Sequence, residues 1–349
     1  MGCVIVSPDG RTVLGTGHTQ QAGGPHAEIM ALRDAAARGA DVRGAIVHVT
    51  LEPCAHHGRT PPCCDALIAA GVGTVRIAIH DPNPLVDGQG RARLLAAGIG
   101  VEEAPAGVQA RARELNVGFL SRMLRGRPWV RMKIAASLDG RTALPDGRSR
   151  WITGPAARAD GHAWRARAGV VLTGIGTVRD DDPALDVREV ATARQPLRAV
   201  IDARLETRPD ARLFAAGGSP VLLYANDTGT PDAARLVERG AELVLAPGAD
   251  GRVDLATVLA DLHRRAINEV HVEAGARLNG ALLAAGLVDE LLVYLAPALL
   301  GEGRPMAALP TLASLDERLK FDFVDAQPVG TDLRVRLRAP AAAATLGLG

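Results

Sequence analysis

The residues of this sequence best suited to chemistry are a histidine, a glutamate and two cysteines. His26 and Glu28 lie in residues 23–28, Gly-Gly-Pro-His-Ala-Glu, which run into an amphipathic stretch. Because Pro25 directly precedes that stretch, we expect both side chains in the first turn of a helix. From there both can reach a site beyond the end of the helix.

The cysteines follow in residues 50–64, Thr-Leu-Glu-Pro-Cys-Ala-His-His-Gly-Arg-Thr-Pro-Pro-Cys-Cys. The pattern predicts that this segment leaves a strand, crosses a loop and enters a second helix at Cys63, where the helix dipole favours a thiolate. An imidazole from His26 and thiolates from Cys54 and Cys63 leave the fourth tetrahedral position for water. This open arrangement is typical of a catalytic zinc.

A second group must move protons in such a site. Zinc brings the pKa of its water near neutrality, and a carboxylate that does not bind the metal can pass the proton to a ring nitrogen and a leaving amine. We assign that role to Glu28. The pattern therefore predicts a hydrolytic deaminase with one zinc ion per chain.

The spacing of the ligands leaves alternatives open. Eight residues separate Cys54 from Cys63, whereas the commoner deaminase signature has two between its cysteines. Cys64 could replace Cys63, and we favour Cys63 because it begins the helix. We interpret His56 and His57 as substrate or loop contacts, since a fourth protein ligand would close the site.

Length and composition set the frame for this site. The chain has 349 residues, 47% of them hydrophobic, with 40 basic and 39 acidic residues. That length suits two domains, and the balanced charge argues against nucleic acid as a partner. The sequence shows neither a membrane span nor a secretory signal, and its clustered cysteines favour metal binding over disulfides. We expect a cytoplasmic enzyme that acts on a small molecule.

The elements that must position these residues alternate between strand and helix. Residues 3–17 predict a hairpin, and the patterns then alternate up to residue 122, as in an α/β sandwich. We place a domain boundary at Arg-Gly-Arg-Pro, residues 125–128. From Trp129 a second α/β sheet follows, with an antiparallel close, and we expect the alanine-rich tail from Ala339 to be frayed.

Two glycine-containing segments of the second half could receive a nucleotide. Residues 174–179, Gly-Ile-Gly-Thr-Val-Arg, lack the third glycine of a Rossmann fingerprint, and we reject that fold. Residues 275–280, Gly-Ala-Arg-Leu-Asn-Gly, follow a strand pattern and begin an apolar helix. Their amides could bind phosphate, although a plain strand-to-helix turn explains them equally well.

Taken together, the motifs resemble the bifunctional deaminase-reductase family of riboflavin biosynthesis over nearly the whole chain. The segments that carry the resemblance are 25–28, 50–64 and 81–84 for the deaminase half, and 133–142, 151–153, 181–185 and 272–275 for the reductase half. The resemblance implies an α/β protein with a cytidine-deaminase-like α/β/α domain over residues 1–127. A dihydrofolate-reductase-like α/β domain would follow over residues 128–349.

The resemblance also implies the reactions and the assembly. Zinc-dependent hydrolysis would remove the 2-amino group of a diaminopyrimidinone ribosylamine 5′-phosphate, and NADPH would then reduce the ribose of the product to a ribityl chain. The family suggests a homo-oligomer, a dimer or a tetramer.

Relatives usually carry another helix and a Pro-Asn-Pro segment before the strand that begins here at Gly2. We expect a mis-assigned start codon or a truncated gene rather than a natural loss. Since that asparagine is expected to contact the pyrimidine, we also expect its absence to weaken deamination.

Contacts in the second half are implied residue by residue. NADPH contacts are expected at Ala135, Trp151, Thr177, Asp181, Ala203, Gly275, Ala276, Arg277, Leu278, Asn279, Gly280 and Ala281. Substrate contacts are expected at Ser149, Arg165, Leu185, Arg188 and Glu273. Arg165 and Arg188 would bind the 5′-phosphate through their guanidinium groups. Lys133 and Asp139 belong to a conspicuous motif, but bracing the strand-to-loop junction is an equal alternative for them.

Two other functions fit part of the pattern. A nucleoside or tRNA adenosine deaminase would explain the zinc ligands but leaves the second half without a role. A structural zinc module fused to a working reductase would agree with the missing N-terminal segment.

Overall fold

The computed structural model describes residues 1–21, 23–56, 61–83, 87–215 and 219–348. His57 and Pro84, which belong to the motifs above, lie outside the described residues. The chain divides into two units, one of residues 1–124 with 344–349 and one of residues 125–343. In the part of the chain that is described, no helix has the length and apolar character needed to cross a membrane.

The first unit is built on a five-stranded sheet with the order β2-β1-β3-β4-β5. Up to residue 125 the strands are β1 (Gly2–Val6), β2 (Val13–His18), β3 (Ile46–Val49), β4 (Thr74–Ile77) and β5 (Gly100–Glu103), and the helices are α1 (Ala27–Ala37), α2 (Cys63–Ala69), α3 (Gln89–Ala96), α4 (Ala106–Leu115) and α5 (Val117–Arg125). β1 is antiparallel to β2 and β3, whereas β3, β4 and β5 are parallel. The predicted hairpin and α/β alternation are therefore confirmed.

Two glycines of β2 allow α1 to lie directly on the sheet. A Cβ atom at Gly17 would be 2.2 Å from the Ala27 carbonyl oxygen, and one at Gly15 would be 2.4 Å from the Ala31 carbonyl oxygen. Real Cβ atoms do not approach so closely, so any larger residue would push the helix away. The close approach fixes the end of α1 at which the predicted histidine and glutamate lie.

The second unit is built on a nine-stranded sheet with the order β11-β10-β9-β8-β12-β6-β13-β16-β15. From residue 129 the strands are β6 (Trp129–Ser137), β7 (Arg141–Ala143), β8 (Val170–Gly174), β9 (Leu197–Ile201), β10 (Val221–Ala225), β11 (Ala241–Leu245), β12 (Glu269–Val272), β13 (Glu290–Ala296), β14 (Arg304–Pro305), β15 (Asp322–Val329) and β16 (Asp332–Arg338). The helices are α6 (Pro155–Arg167), α7 (Ile175–Asp181), α8 (Pro231–Glu238), α9 (Leu255–Arg264), α10 (Ala276–Ala284) and α11 (Pro340–Leu346), with 3-10 turns at Arg212–Phe214, Ala249–Gly251 and Leu315–Glu317. β7 and β14 form a small separate sheet.

The directions of the strands follow the predicted pattern. The run from β11 to β13 is parallel, and β16 and β15 complete the sheet in antiparallel pairs. The expectation of a frayed tail was wrong. Pro340 begins α11, in which Ala342 and Leu346 are 5% and 3% exposed, so the alanine-rich segment is helical and partly buried.

β12 separates an apolar core from a buried charged face. Val270 belongs to the main hydrophobic core, whereas Glu269 and His271 point to the opposite side of the sheet and are also buried. There Arg131 of β6 pairs with Glu269 at 2.7 Å, and the ring of Trp164 from α6 lies 4.3 Å from the same guanidinium. α6 thus covers a layer of paired charges rather than a second apolar core.

Candidate active sites

The three predicted metal ligands converge in the first unit. Nδ1 of His26 lies 3.3 Å from Sγ of Cys63 and 3.6 Å from Sγ of Cys54, and the three donor atoms are all within 4.8 Å of one another. His26 is the N-cap of α1, and Cys63 is the first residue of α2. One imidazole nitrogen and two sulfurs at this spacing are the donor set of a zinc ion that keeps an open position.

The protonation of these groups also suits a dication. Hydrogen bonds from Cys63 and His26 lower the pKa of Cys54 to about 4, since they stabilise its thiolate. That thiolate in turn raises the pKa of Cys63, and its hydrogen bond raises the pKa of His26. The three groups share protons that a bound metal ion would displace.

Cys64, the alternative ligand, faces away from this group. Its thiol lies 3.3 Å from the carbonyl oxygen of Pro53 and 3.6 Å from that of Gly90, and burial raises its pKa to about 12. Its sulfur is not among the three clustered donor atoms. The geometry therefore favours Cys63.

A cavity of about 230 Å³ is lined by two of the three donor residues, His26 and Cys54. Glu28 lines it, is 7% exposed, and has its pKa raised chiefly by burial. His56, Asp81 and Asn83 line the same cavity, and burial raises the pKa of Asp81 to about 6. A buried carboxyl beside three metal donors and a polar cavity wall is the arrangement that a hydrolytic deaminase needs.

Glu52 is a part of this site that the sequence analysis missed. Its buried carboxylate accepts hydrogen bonds from the backbone N–H groups of Asp81, Gly88 and Arg91 at 3.4, 3.3 and 3.1 Å. It thereby joins the cysteine loop to the segment after β4 and to the start of α3. A charged residue directly before Pro-Cys in an otherwise apolar strand end was the available signal.

In the second unit, two predicted substrate contacts bind each other. Nη2 of Arg165 donates to Oε2 of Glu273 at 2.8 Å and Nε donates to Oε1, which forms a bidentate pair. Nη1 of Arg165 donates to the Asp186 carbonyl oxygen at 2.8 Å. Burial raises the pKa of Glu273, but Arg165 and Lys133 outweigh it and hold the pKa well below its usual range. A bidentate phosphate contact by Arg165 would have to displace this carboxylate.

Arg188 is the more accessible of the two predicted phosphate ligands. Its side chain is half exposed and pairs with Asp186 at 2.7 Å. Its backbone N–H lies 3.4 Å from Nδ1 of the buried His162, whose pKa is lowered to about 4 by burial and by Arg165 and Arg188. A neutral histidine therefore lies beside two arginines in this region.

Lys133 and Asp139 take different roles. Burial lowers the pKa of Lys133, opposed by the nearby Glu273, and its ammonium lies 5.9 Å from the ring centre of Tyr294. Asp139 instead accepts hydrogen bonds from the N–H groups of Leu300 and Gly301 at 3.1 and 2.7 Å. Lys133 thus belongs to the charged cluster, and Asp139 braces a loop junction.

The glycine turn before α10 offers a place for phosphate. Gly275 is exposed and extended at the N-cap, and no side chain among the described residues caps the helix. A Cβ atom at Gly275 would be 3.9 Å from Oγ1 of Thr177, so another predicted cofactor contact borders the turn. Free amides at the start of a helix of this length fit the diphosphate of NADPH.

The rest of the predicted cofactor run divides into open and buried positions. Arg277 and Ala281 are exposed, whereas Ala276 and Leu278 are partly buried. Asn279 is buried and donates to the Met306 carbonyl oxygen at 2.9 Å. Gly280 is also buried, and a Cβ atom there would be 2.1 Å from the Ala308 carbonyl oxygen. Asn279 and Gly280 therefore hold the segment 306–308 against the helix.

Three further predicted contacts lie in a loop or at the end of a helix. Trp151 is 67% exposed and stacks on the Arg158 guanidinium at 4.5 Å, with Ser149 partly buried two residues earlier. Asp181 ends α7, and its carbonyl oxygen accepts from Arg150 at 3.0 Å.

Three predicted contacts are apolar. Ala135 is partly buried in β6 opposite Tyr294, and Leu185 is 2% exposed with a positive φ of 54°. Ala203 follows β9, and its carbonyl oxygen accepts from the N–H of Asn226 at 3.1 Å.

Comparison with known proteins agrees with both units. Residues 1–79 match the cytidine and deoxycytidylate deaminase zinc-binding region, and residues 128–335 match the RibD C-terminal domain. The chain is 45% identical to the riboflavin biosynthesis protein RibD of Escherichia coli (strain K12), over 97% of this chain and 92% of that protein. The RibD of Haemophilus influenzae is 40% identical over 96% of this chain and 90% of that protein.

Solved structures give the same result. The structure of RibD from Acinetobacter baumannii, form 1, superposes with a TM-score of 0.84 at 41% identity, over 97% of this chain and 91% of that one. A Thermotoga maritima protein described as a diaminohydroxyphosphoribosylaminopyrimidine deaminase/5-amino-6-(5-phosphoribosylamino)uracil reductase gives 0.85 at 31% identity, over 97% and 91% of the two chains.

Fold and sites define a two-part enzyme, a zinc-binding deaminase of the cytidine deaminase type followed by an NADPH-dependent reductase. The chain belongs to the RibD family, the bifunctional deaminase and reductase of riboflavin biosynthesis.

Proposed function

We propose that the first unit removes the 2-amino group of 2,5-diamino-6-ribosylamino-4(3H)-pyrimidinone 5′-phosphate by hydrolysis. The second unit then reduces the ribosyl group of the product to a ribityl chain with NADPH. The observation that carries the proposal is the convergence of His26, Cys54 and Cys63 beside a cavity that the buried Glu28 lines. The described activity of the Thermotoga maritima relative supports the choice of substrate.

In the deaminase, zinc is held by His26, Cys54 and Cys63. When bound, zinc supplies a water whose pKa lies near neutrality. Glu28 takes one proton of that water to the ring nitrogen and the second to the departing amine, which leaves as ammonia, a role that its burial in the cavity supports. Asp81 lines the same cavity and contacts the pyrimidine.

In the reductase, the first turn of α10 holds the diphosphate of NADPH. The other cofactor contacts are Ala135, Trp151, Thr177, Asp181 and Ala203. When bound, NADPH supplies the hydride, and the protein orients the two reactants. Reduction opens the ribose, so a proton must reach its ring oxygen. Lys133 donates it, consistent with a pKa lowered by burial.

The substrate of the reductase meets a charged surface. Glu273 is held as an anion by Arg165 and accepts hydrogen bonds from ribose hydroxyls. Arg188 binds the 5′-phosphate through its half-exposed guanidinium. Ser149 and Leu185 complete the contacts.

The deaminase domain spans residues 1–127 and the reductase domain spans residues 128–349. The family matches over 1–79 and 128–335 support these limits. The enzyme acts in the cytoplasm, where clustered cysteines serve as metal ligands more often than as disulfides.

The enzyme is a homo-oligomer that associates through the second unit. Large apolar side chains are exposed there, including Leu315 at 81%, Phe323 at 76% and Leu299 at 74%. β15 ends the nine-stranded sheet and is exposed at most positions. An exposed edge strand beside apolar residues is a typical surface for a second copy.

The test is to supply the purified chain with the diaminopyrimidinone ribosylamine 5′-phosphate and measure ammonia release and NADPH oxidation separately. We expect ammonia first, and NADPH oxidation once the deaminated product has formed. Ammonia from cytidine or adenosine, but not from this pyrimidinone, would favour a nucleoside deaminase. NADPH oxidation with the deaminated product, but no ammonia from any of these compounds, would favour a structural zinc module.

A further inference from the structure

β12 and the residue that follows it place three ionisable side chains in a row on the charged face of the second unit. Glu269, His271 and Glu273 alternate with core residues, so they point to the same side of the strand. His271 is 0% exposed and lies in register with Arg131 of β6 on one side and Val171 of β8 on the other. Because His271 is fully enclosed, the neighbouring side chains and not solvent set the orientation of its ring.

The imidazole separates two pairs of opposite charge. On one side Arg131 binds Glu269 at 2.7 Å, and on the other Arg165 binds Glu273 in the bidentate pair. Nε2 of His271 lies 3.2 Å from Oε1 of Glu273. Among the described residues, neither ring nitrogen has a hydrogen-bond partner of good geometry, although Nε2 lies within reach of Glu273. A hydrogen bond from Nε2 to Glu273 is therefore the polar interaction that this side chain can make.

The charge state of the imidazole follows from its surroundings. Burial lowers its pKa, Glu273 opposes that effect, and Arg131 and Arg165 lower the pKa further. A second cation between these two arginines would be repelled. A neutral imidazole offers one N–H donor, and Glu273 is the acceptor within reach.

The carboxylate of Glu273 has a limited number of acceptor positions. It offers roughly four, of which Arg165 takes two and an Nε2–H donor would take a third. About one then stays free for an incoming hydroxyl. Two protein donors that approach from different directions also stop the carboxylate from rotating, which is how binding groups are kept in their working geometry.

We propose that His271 is a positioning residue of the reductase, which donates from Nε2 to Glu273 and fixes the carboxylate in the orientation that binds the ribose of the substrate. The inference rests on the assignment of Glu273 to substrate binding in the proposed function. It adds a residue that does not itself touch the substrate.

The test compares His271→Leu with His271→Gln in steady-state NADPH oxidation, with the deaminated pyrimidine as substrate. Leucine fills the space without a donor, and we expect the KM for the pyrimidine to rise about tenfold, the size expected for one hydrogen bond to a charged group. The KM for NADPH should be unchanged. Glutamine presents an amide N–H at a similar reach and should keep the KM for the pyrimidine within about threefold of that of the parent enzyme.

His263→Leu, which removes a histidine from α9 in the same unit, is the matched control and should change neither KM. The melting temperatures of all variants are compared. A parental pyrimidine KM in His271→Leu would overturn the inference, as would equal rises for leucine and glutamine in variants that melt alike. If the parent enzyme oxidises no NADPH with this substrate, the proposed function and the inference fail together.

Discussion

The backbone N–H of Cys63 donates to the sulfur of Cys54 at 3.3 Å. This bond joins the first residue of α2 to the loop that follows β3, so the two cysteines form one rigid pair. His26 approaches the pair from α1 and completes the donor set. The metal site therefore depends on where two helices begin, and its chemistry depends on the carboxylate of Glu28 in the first turn of α1.

Glu28 carries the proton transfer in this account. Glu28→Gln removes the base but keeps its size, and we expect the deamination rate to fall about a hundredfold or more while the bound zinc is retained. NADPH-dependent reduction of the deaminated substrate should continue unchanged. Asp34→Asn, which alters a partly exposed carboxylate on the same helix, is the matched control. Unchanged ammonia release from Glu28→Gln would exclude Glu28 as the proton shuttle.

Gly17 permits the close approach of α1 to β2. In Gly17→Ala the new Cβ would be 2.2 Å from the Ala27 carbonyl oxygen, and we expect a loss of about 1–3 kcal/mol in the free energy of unfolding of the first unit. Zinc affinity should fall too, because His26 moves with the helix. Gly107→Ala is the control, since a Cβ there meets open space within α4, and we expect a gain of about 0.5–1 kcal/mol. Denaturant unfolding measures the free energy of unfolding, and zinc titration measures the affinity for zinc. Equal stability and equal zinc affinity in the two variants would contradict this packing argument.

Glu290 gives the second unit a defined response to acid. Burial raises its pKa, but Arg131 and Arg336 outweigh it and lower the pKa to about 2. The unfolded chain then binds more protons than the folded one, so the stabilisation is present above the ordinary glutamate pKa. It is lost as pH falls from about 5 to about 2.

Glu290→Gln tests this response. We expect the free energy of unfolding to fall by about 3–5 kcal/mol at neutral pH, because buried arginines lose their partner. Its slope against pH between about 5 and 2 should become shallower. Tryptophan fluorescence follows the unfolding selectively, since Trp129, Trp151 and Trp164 all lie in the second unit. An unchanged slope would mean that another carboxylate governs the acid response.

Phe323 is the most direct probe of self-association. It is 76% exposed on the edge strand β15, and Phe323→Asp places a charge in the proposed contact. Sedimentation velocity should show the oligomer of the parent enzyme dissociating to a smaller species. Leu95→Asp, at a half-exposed position of α3 in the first unit, should leave the assembly intact. A monomeric parent enzyme would contradict the proposal.

The sequence was sufficient for features that depend on local chemistry. Pro25 and the double proline before Cys63 mark helix starts, which is why the sequence favoured Cys63 as a ligand while leaving Cys64 open as the alternative. The hairpin and the antiparallel close likewise follow from alternation of apolar residues. Such features depend on neighbours within a few residues of the chain.

Features that depend on tertiary contacts could not be predicted from the sequence. The Arg165–Glu273 pair joins residues 108 positions apart, and no local pattern announces it. In the sequence, Glu52 is simply one residue of the Glu-Pro-Cys segment. Its role depends on hydrogen bonds from the backbone amides of a later loop and of α3. The tail from Ala339 was misjudged because alanine composition was taken as disorder, although alanine is the strongest helix former.

X-ray absorption at the zinc edge tests the central claim most directly. The account predicts two sulfur neighbours at about 2.3 Å and one imidazole nitrogen at about 2.0–2.1 Å, with the remaining coordination from oxygen. Cys63→Ser should leave one sulfur neighbour, and Cys64→Ser should leave both. A third sulfur in the parent enzyme, or two sulfurs retained in Cys63→Ser, would contradict the assignment of His26, Cys54 and Cys63 as an open catalytic zinc site.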